Sequence, residues 1–292
     1  MNLFRPRKVL RNIKLAAGGV WKLRSLLVSK STRATADIFL KERQQNLVFM
    51  LGTGRSGTQL VSDLLAASGN AIVFHEPNFI EDVGSMERFY RDEALVRDYW
   101  QRFRQYEIYR RWARSPEKQV YGEVNGTIRY HVPGIRHVFP DARLFLLARD
   151  GRGVVRSVMG WPRFYGPRST GAYAIAPESD GPYAAAWESM SRFEKICWAW
   201  MESNEFLMKA IPRNCWFRLE ALVEDYAAAG GLFGEIGLQI GRSEWQEIVS
   251  RPSANVSSSY AFPPWKDWQP THQRQFREIC GPTMEKLGYR IC

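Results

Sequence analysis

Cysteine is scarce in this chain of 292 residues: four are present (197, 215, 280 and 292), with no Cys-x-x-Cys pair among them. That spacing supports neither a disulfide framework nor a thiol zinc site, and reduced thiols in packing roles are expected. Histidine is equally sparse, with four scattered residues, so no metal site is expected. No apolar run reaches the roughly eighteen residues that a membrane-crossing helix needs. The first residues show no hydrophobic signal core ahead of a small-residue cleavage site. The expected location is therefore cytoplasmic, with a peripheral contact at the membrane surface left open. There is no internal repeat, and no low-complexity tract beyond a loop.

Acidic residues are also missing from one place in particular. Residues 1–43 hold eleven Lys/Arg against Asp37 and Glu42, a net +9 of the chain's +11. The basic character thus belongs to an amino-terminal extension, residues 1–45, and the remaining +2 argues against nucleic acid as the partner of the whole protein. Val9, Ile13, Ala16, Val20, Leu23 and Leu27 recur at alternating steps of four and three, one apolar helical stripe flanked by cations. Such a stripe can lie on an anionic membrane, or it can dock on the domain or a sister subunit; Gly18-Gly19 weakens the helix.

Residues 46–292 are long enough, and at 45% hydrophobic content for the whole chain apolar enough, to form one domain. Strand-like runs at 46–51, 71–75, 119–124, 143–148 and 215–219 alternate with helical patterns. This predicts an α/β fold, a mostly parallel sheet with helices on both faces. The first strand runs into Gly52-Thr53-Gly54-Arg55-Ser56-Gly57-Thr58 and then a helical Gln59-Leu60-Val61. A glycine loop between strand and helix lets backbone N–H groups and the helix N-terminus converge on an anion. The spacing Gly52-x-x-x-x-Gly57 begins like a nucleotide triphosphatase loop, but Thr58 and Gln59 stand where Lys and Ser/Thr belong. Arg55 can supply the positive charge instead, as a planar fork suited to sulfate or phosphate.

A second anion site is predicted where the strand 143–148 ends in Arg149, with Ser157 on the helix that follows. Ligands of open α/β sheets bind outside the carboxyl ends of the strands, which puts Arg149 beside the glycine loop if the first and fourth strands are neighbours.

Together the two motifs resemble the sulfotransferase family that uses 3′-phosphoadenosine 5′-phosphosulfate, whose fold is P-loop-like. The resemblance implies that Gly54, Arg55, Ser56, Gly57, Thr58 and Gln59 hold the 5′-phosphosulfate, and that Arg149 and Ser157, matching the family's Arg-x7-Ser unit, hold the 3′-phosphate. Phe139-Pro140-Asp141 is similar to the family's approach to that unit. Phe217-Arg218-Leu219-Glu220 is similar to its Arg-Tyr-Glu segment, with Leu219 in place of tyrosine. Glu76-Pro77-Asn78-Phe79 resembles the Glu-Pro-His-Phe segment of heparan-type members, which implies Glu76 as the base, with His75 next. Glu123, where relatives often carry Lys-Ser-Pro close by, is a third candidate. The Trp265-Lys266 pair and the terminal Leu287-Gly288-Tyr289 look like the family's cofactor-closing loop and last helix, so Lys266 can approach a phosphate. The single-pass Golgi arrangement common among carbohydrate sulfotransferases is not expected here.

Strand alternation sends His75 and Glu76 to opposite sides, so that only one faces the cleft. Two regions are candidates for the acceptor. Residues 86–114 mix arginines with aromatics and read either as an amphipathic pair with a basic solvated face or as a sugar-stacking cleft. The Gly/Pro-rich stretch from Trp161 to Tyr183 reads as a lid or a long connection. The expected activity is metal-independent, in-line sulfuryl transfer to a hydroxyl on a carbohydrate, glycoconjugate or other small molecule. The alternatives are a P-loop nucleotide kinase or phosphotransferase, and a non-catalytic anion- or membrane-binding protein.

Overall fold

The computed structural model describes residues 21–84, 86–161, 164–166, 175–251 and 262–291. Five strands form its sheet: β1 (Leu47–Gly52), β2 (Ala71–His75), β3 (Val120–Asn125), β4 (Arg143–Ala148) and β5 (Trp216–Arg218). All neighbours run parallel in the order β2-β3-β1-β4-β5. The expected α/β architecture and all five strand positions hold, with ends shifted by at most two residues.

The strands are continuous apolar runs because both faces of the sheet are covered. Leu47, Phe49 and Leu51 of β1 enter one core together with Leu144 and Leu146 of β4, while Val48 and Met50 enter the other with Phe145 and Leu147. The helix α1 (Lys30–Arg43) begins at Ser29, whose hydroxyl accepts the Thr32 N–H. After β1 comes α2 (Thr58–Ala66), and after β2 come α3 (Phe79–Gly84) and α4 (Met86–Arg91). Next, α5 (Glu93–Tyr99), a π turn (Trp100–Arg104) and α6 (Gln105–Trp112) form one long helical run. Further along lie α7 (Val132–Val138), α8 (Gly151–Met159) and α9 (Arg192–Ala210), followed beyond β5 by α10 (Leu219–Glu224), α11 (Tyr226–Ile236), α12 (Arg242–Val249) and α13 (Pro270–Lys286).

The amino-terminal extension is docked where it is described. Phe39 of α1 meets Tyr109 and Trp112 of α6 edge-on at 5.5 and 5.6 Å, and Trp21 meets Tyr99 at 5.2 Å. Trp21 and Leu40 belong to the same core as β1. Of the predicted apolar stripe, Val9, Ile13, Ala16 and Val20 lie outside the described residues, and Leu23 and Leu27 face solvent. The side turned inward carries Trp21 and Ser25 instead.

Residues 86–114 are mostly core and solvated rim. Phe89, Tyr99, Trp100, Phe103 and Trp112 are buried, whereas Arg88, Arg91, Arg97, Arg102, Arg110 and Arg114 are exposed. Arg111 is half-buried, and Arg104 is fully buried at the end of the π turn. A π turn inserts an extra residue into the helical repeat, which turns the following side chain out of its helical register.

Candidate functional site

The glycine loop sits at the carboxyl end of β1, between β3 and β4, where an open parallel sheet forms its crevice. Its geometry depends on residues that tolerate close approach or a left-handed backbone. A Cβ on Gly52 would stand 2.6 Å from the Leu147 carbonyl and 2.7 Å from Ser56 Oγ. Gly57 has φ +89° and lies against Leu219, whose methyls would be 2.6 Å from a Cβ there. Leu219, in the place of the tyrosine expected from the resemblance, is therefore a packing partner of the loop. Ser56 is buried and closes the loop on itself, with Oγ donating to the Thr53 carbonyl at 2.7 Å.

On the open side the loop presents donors. A Cβ added to Gly54 would meet nothing within 4 Å. Helix α2 starts at Gly57 without a side-chain cap, which leaves its first N–H groups and the positive end of its dipole available to an acceptor outside the helix. Thr58 Oγ1 shares a 2.9 Å hydrogen bond with His75 Nε2, and Gln59 Nε2 donates to Asp63 within the helix. These two side chains are engaged with protein groups, while their backbone forms the first turn of α2.

The second predicted anion site joins the first. Since β1 and β4 pair, Arg149 comes to the loop, and its Nη1 donates to the Arg55 carbonyl at 2.8 Å. Arg55, at φ +73°, sends Nε to Ser157 Oγ at 2.8 Å and lies 5.1 Å from the centre of the Trp161 ring. Burial and then the charge of Arg149 lower Arg55 from its ordinary value. Like charges near one another repel, and a bound anion relieves that repulsion. Arg55, Arg149 and Ser157 form one continuous surface rather than two separate sites.

Glu76 and His75 correct the expectation from strand alternation. Strand β2 ends at His75, and Glu76 takes φ +45°, a left-handed turn rare for a residue with a Cβ. The turn reverses the alternation and brings both side chains to one side, with His75 Nε2 3.9 Å from Glu76 Oε1. Glu76 Oε1 also accepts the Gly126 N–H at 3.2 Å. A Cβ on Gly126 would lie 3.3 Å from the Gly54 nitrogen, so Glu76 borders the loop. Both side chains retain partial solvent access, His75 at 25% and Glu76 at 16%.

Glu123 is not at the crevice. It is completely buried, ion-paired with Arg104 Nη2, and accepts the Tyr121 hydroxyl at 2.8 Å. Its position on β3 points it into the core below the strand end, so it is withdrawn as a base. Lys266 is exposed on a short turn; its neighbour Trp265 lies 5.7 Å from the Arg152 guanidinium, which places the turn alongside the start of α8. Of the stretch from Trp161 to Tyr183, read as a lid or a long connection, residues 162–163 and 167–174 lie outside the described residues.

Three supports were not legible from the motifs. Trp161 backs Arg55, and Gly126 anchors Glu76. Glu220 clamps the carboxyl terminus, with Oε1 accepting the Asp150 N–H at 3.1 Å and Oε2 accepting the Tyr289 hydroxyl at 2.8 Å. The Arg-Leu-Glu and Leu-Gly-Tyr segments, flagged separately in the sequence, are thus one contact, and a pairing of that length carries no local signal. The three described cysteines, 197, 215 and 280, are free thiols. Among the described residues no group of His, Cys, Asp or Glu is arranged to hold a metal ion, and no helix is long and apolar enough to cross a membrane. No protein-family model matches this chain, and no curated protein matches its sequence.

Proposed function

We propose that this protein is a P-loop-like sulfotransferase that moves a sulfuryl group from 3′-phosphoadenosine 5′-phosphosulfate to a hydroxyl acceptor, a carbohydrate or other small molecule. The observation that carries this reading is the contact of Arg149 and Ser157 with the arginine of a lysine-free glycine loop. A donor with phosphate groups on two ribose positions needs two adjoining anion-binding elements, and the glycine loop joined to Arg149 and Ser157 supports that reading. The open face over Gly54 and the uncapped start of α2 fit the phosphosulfate end.

The donor, when bound, supplies the sulfuryl group on a good phosphate leaving group. The backbone amides of Gly54, Arg55, Gly57 and Thr58 and the Arg55 guanidinium hold negative charge where it grows during transfer, while the Ser56 N–H closes the loop on the Thr53 carbonyl. Arg149 and Ser157 select the 3′-phosphate. Glu76, fixed through Gly126 N–H and near His75, takes the proton of the attacking hydroxyl. Lys266, exposed on its short turn, is assigned the approach to a phosphate on the resemblance alone.

Calorimetric titration with adenosine 3′,5′-bisphosphate, AMP and ATP-Mg²⁺ tests the donor site on wild type and Arg149→Ala. Preference for the bisphosphate, lost in the variant, supports the proposal. Equal binding of AMP and bisphosphate overturns it, and Mg²⁺-dependent ATP hydrolysis would assign the chain to the nucleotide phosphotransferases instead.

A further inference from the structure

Large apolar side chains exposed among the described residues come from two stretches: Leu23, Leu26, Leu27 and Ile38 near the amino terminus, and Phe79 and Ile80 after β2. The two stretches are tied together by Arg24, which donates to Glu81 Oε1 at 2.7 Å and lies 3.1 Å from Glu107 Oε1. The helical residues 21–26 are arranged inside out for a surface helix. Trp21 and Ser25 are buried and Arg24 turns inward to its carboxylates, while Leu23, Leu26 and Leu27 are 66%, 76% and 85% exposed. A helix packed on a globular domain turns its leucines to the core. Here the core side is already filled by Trp21, and the leucines share the outer side with exposed Lys22 and Lys30.

Charge decides what covers this face. The first 36 residues contain nine Lys/Arg and no Asp or Glu. A second copy would bring the same cations against one another. An anionic bilayer accepts both features at once: leucines enter the headgroup–acyl boundary and cations meet lipid phosphates. We propose that the outer face of residues 22–30 docks the protein on an anionic lipid surface, with Leu23, Leu26 and Leu27 as the inserting side chains. Phe79 and Ile80, three and four residues beyond Glu76, adjoin this face through the Arg24–Glu81 pair. The inference goes beyond the transfer reading and does not depend on it.

The test is co-sedimentation of the full chain with phosphatidylcholine vesicles, with and without phosphatidylglycerol, across a salt series. Binding is expected only to the anionic vesicles, weakening as salt rises. The triple variant L23S/L26S/L27S should lower the partition coefficient by about tenfold or more, in line with the loss of three inserted leucines. It removes only exposed side chains, and an unchanged thermal midpoint shows that the variant is folded. Absence of binding, or binding indifferent to the triple substitution, overturns the proposal. Concentration-dependent dimerisation by light scattering that the triple variant abolishes, without vesicle binding, would assign the face to a second copy instead.

Discussion

Two groups of carboxylates and arginines lie a few residues apart on β2, β3 and the helices that follow, and they behave in opposite ways. At the strand ends, Glu76 stands in a left-handed turn with partial solvent access beside an open glycine loop. Below, Asp82 and Glu123 enclose Arg104 with no exposure at all. Arg104 Nη1 donates to Asn78 at 2.6 Å, Nη2 pairs with Glu123, and the Tyr99 hydroxyl donates to Asp82 at 2.8 Å. Burial pushes the Asp82 carboxyl up to about 7, against the pull of Arg104 and Tyr99. Judged by acidity alone, Asp82 would be the candidate base. It has no route to a substrate, so its shifted acidity marks a structural network rather than a site. Access and neighbouring donors, not the shift, single out Glu76.

The largest expected effect separates these groups by stability. Arg104→Met leaves Asp82 and Glu123 buried without their cation, and removal of one partner from such a cluster costs about 3–5 kcal/mol. Urea unfolding should show a loss of that size, whereas Glu76→Gln, which keeps an oxygen for the Gly126 N–H, should stay within about 0.5 kcal/mol of wild type. An Arg104→Met protein as stable as wild type would mean the network is not what holds α5 and α6 to the sheet.

Activity should reverse the ranking. Glu76→Gln should lower the transfer rate by roughly 10²–10⁴-fold, the range for loss of a general base, with bisphosphate affinity nearly unchanged. Near-normal turnover in a labelled-donor assay would remove Glu76 from the mechanism and leave His75, 3.9 Å away, as the group to test.

The sequence reading reached the sheet and the loop because both are local. Apolar runs such as Leu47–Gly52 are bounded by turn residues, whereas the neighbouring of β1 and β4, on which the placement of Arg149 depends, enters the sequence reading only as a condition and is met by their pairing. It failed where one residue changes direction. The positive φ at Glu76 cancels a two-residue alternation, and nothing in His-Glu-Pro announces it. The π turn at Trp100–Arg104 breaks the helical period that assigned the arginines of that run to solvent. Near the amino terminus, spacing alone fits the stripe through Leu23 and Leu27 equally to a membrane surface or to docking on the domain or a sister subunit; both leucines face solvent, and Trp21, with more area to bury, takes the inner side.

A pH titration sharpens the contrast at intermediate size. An unfolded aspartate ionises near pH 3.9, and Asp82 folded at about 7. Between these values the folded protein binds the extra proton, so stability falls as pH rises from about 4 to 7 and levels above 7, by up to about 1.4 kcal/mol per pH unit. Asp82→Asn, which still accepts from Tyr99, should flatten that slope in unfolding measured from pH 4 to 8. An unaltered slope would assign it to other groups.

The smallest effect concerns the turn that distinguishes Glu76 from its buried counterparts. Glu76→Gly and Glu76→Ala both delete the carboxylate and its bond to Gly126, so their difference isolates the Cβ at φ +45°. An alanine there retains the steric cost of the left-handed backbone, about 1 kcal/mol, while glycine escapes it but gains freedom in the unfolded chain, which offsets part of the benefit. The glycine variant is expected to be the more stable of the two by about 0.5 kcal/mol in paired thermal or urea unfolding. Alanine matching or exceeding glycine would mean that the turn is relaxed, and that Glu76 is brought beside His75 by its hydrogen bonds rather than held there against backbone strain.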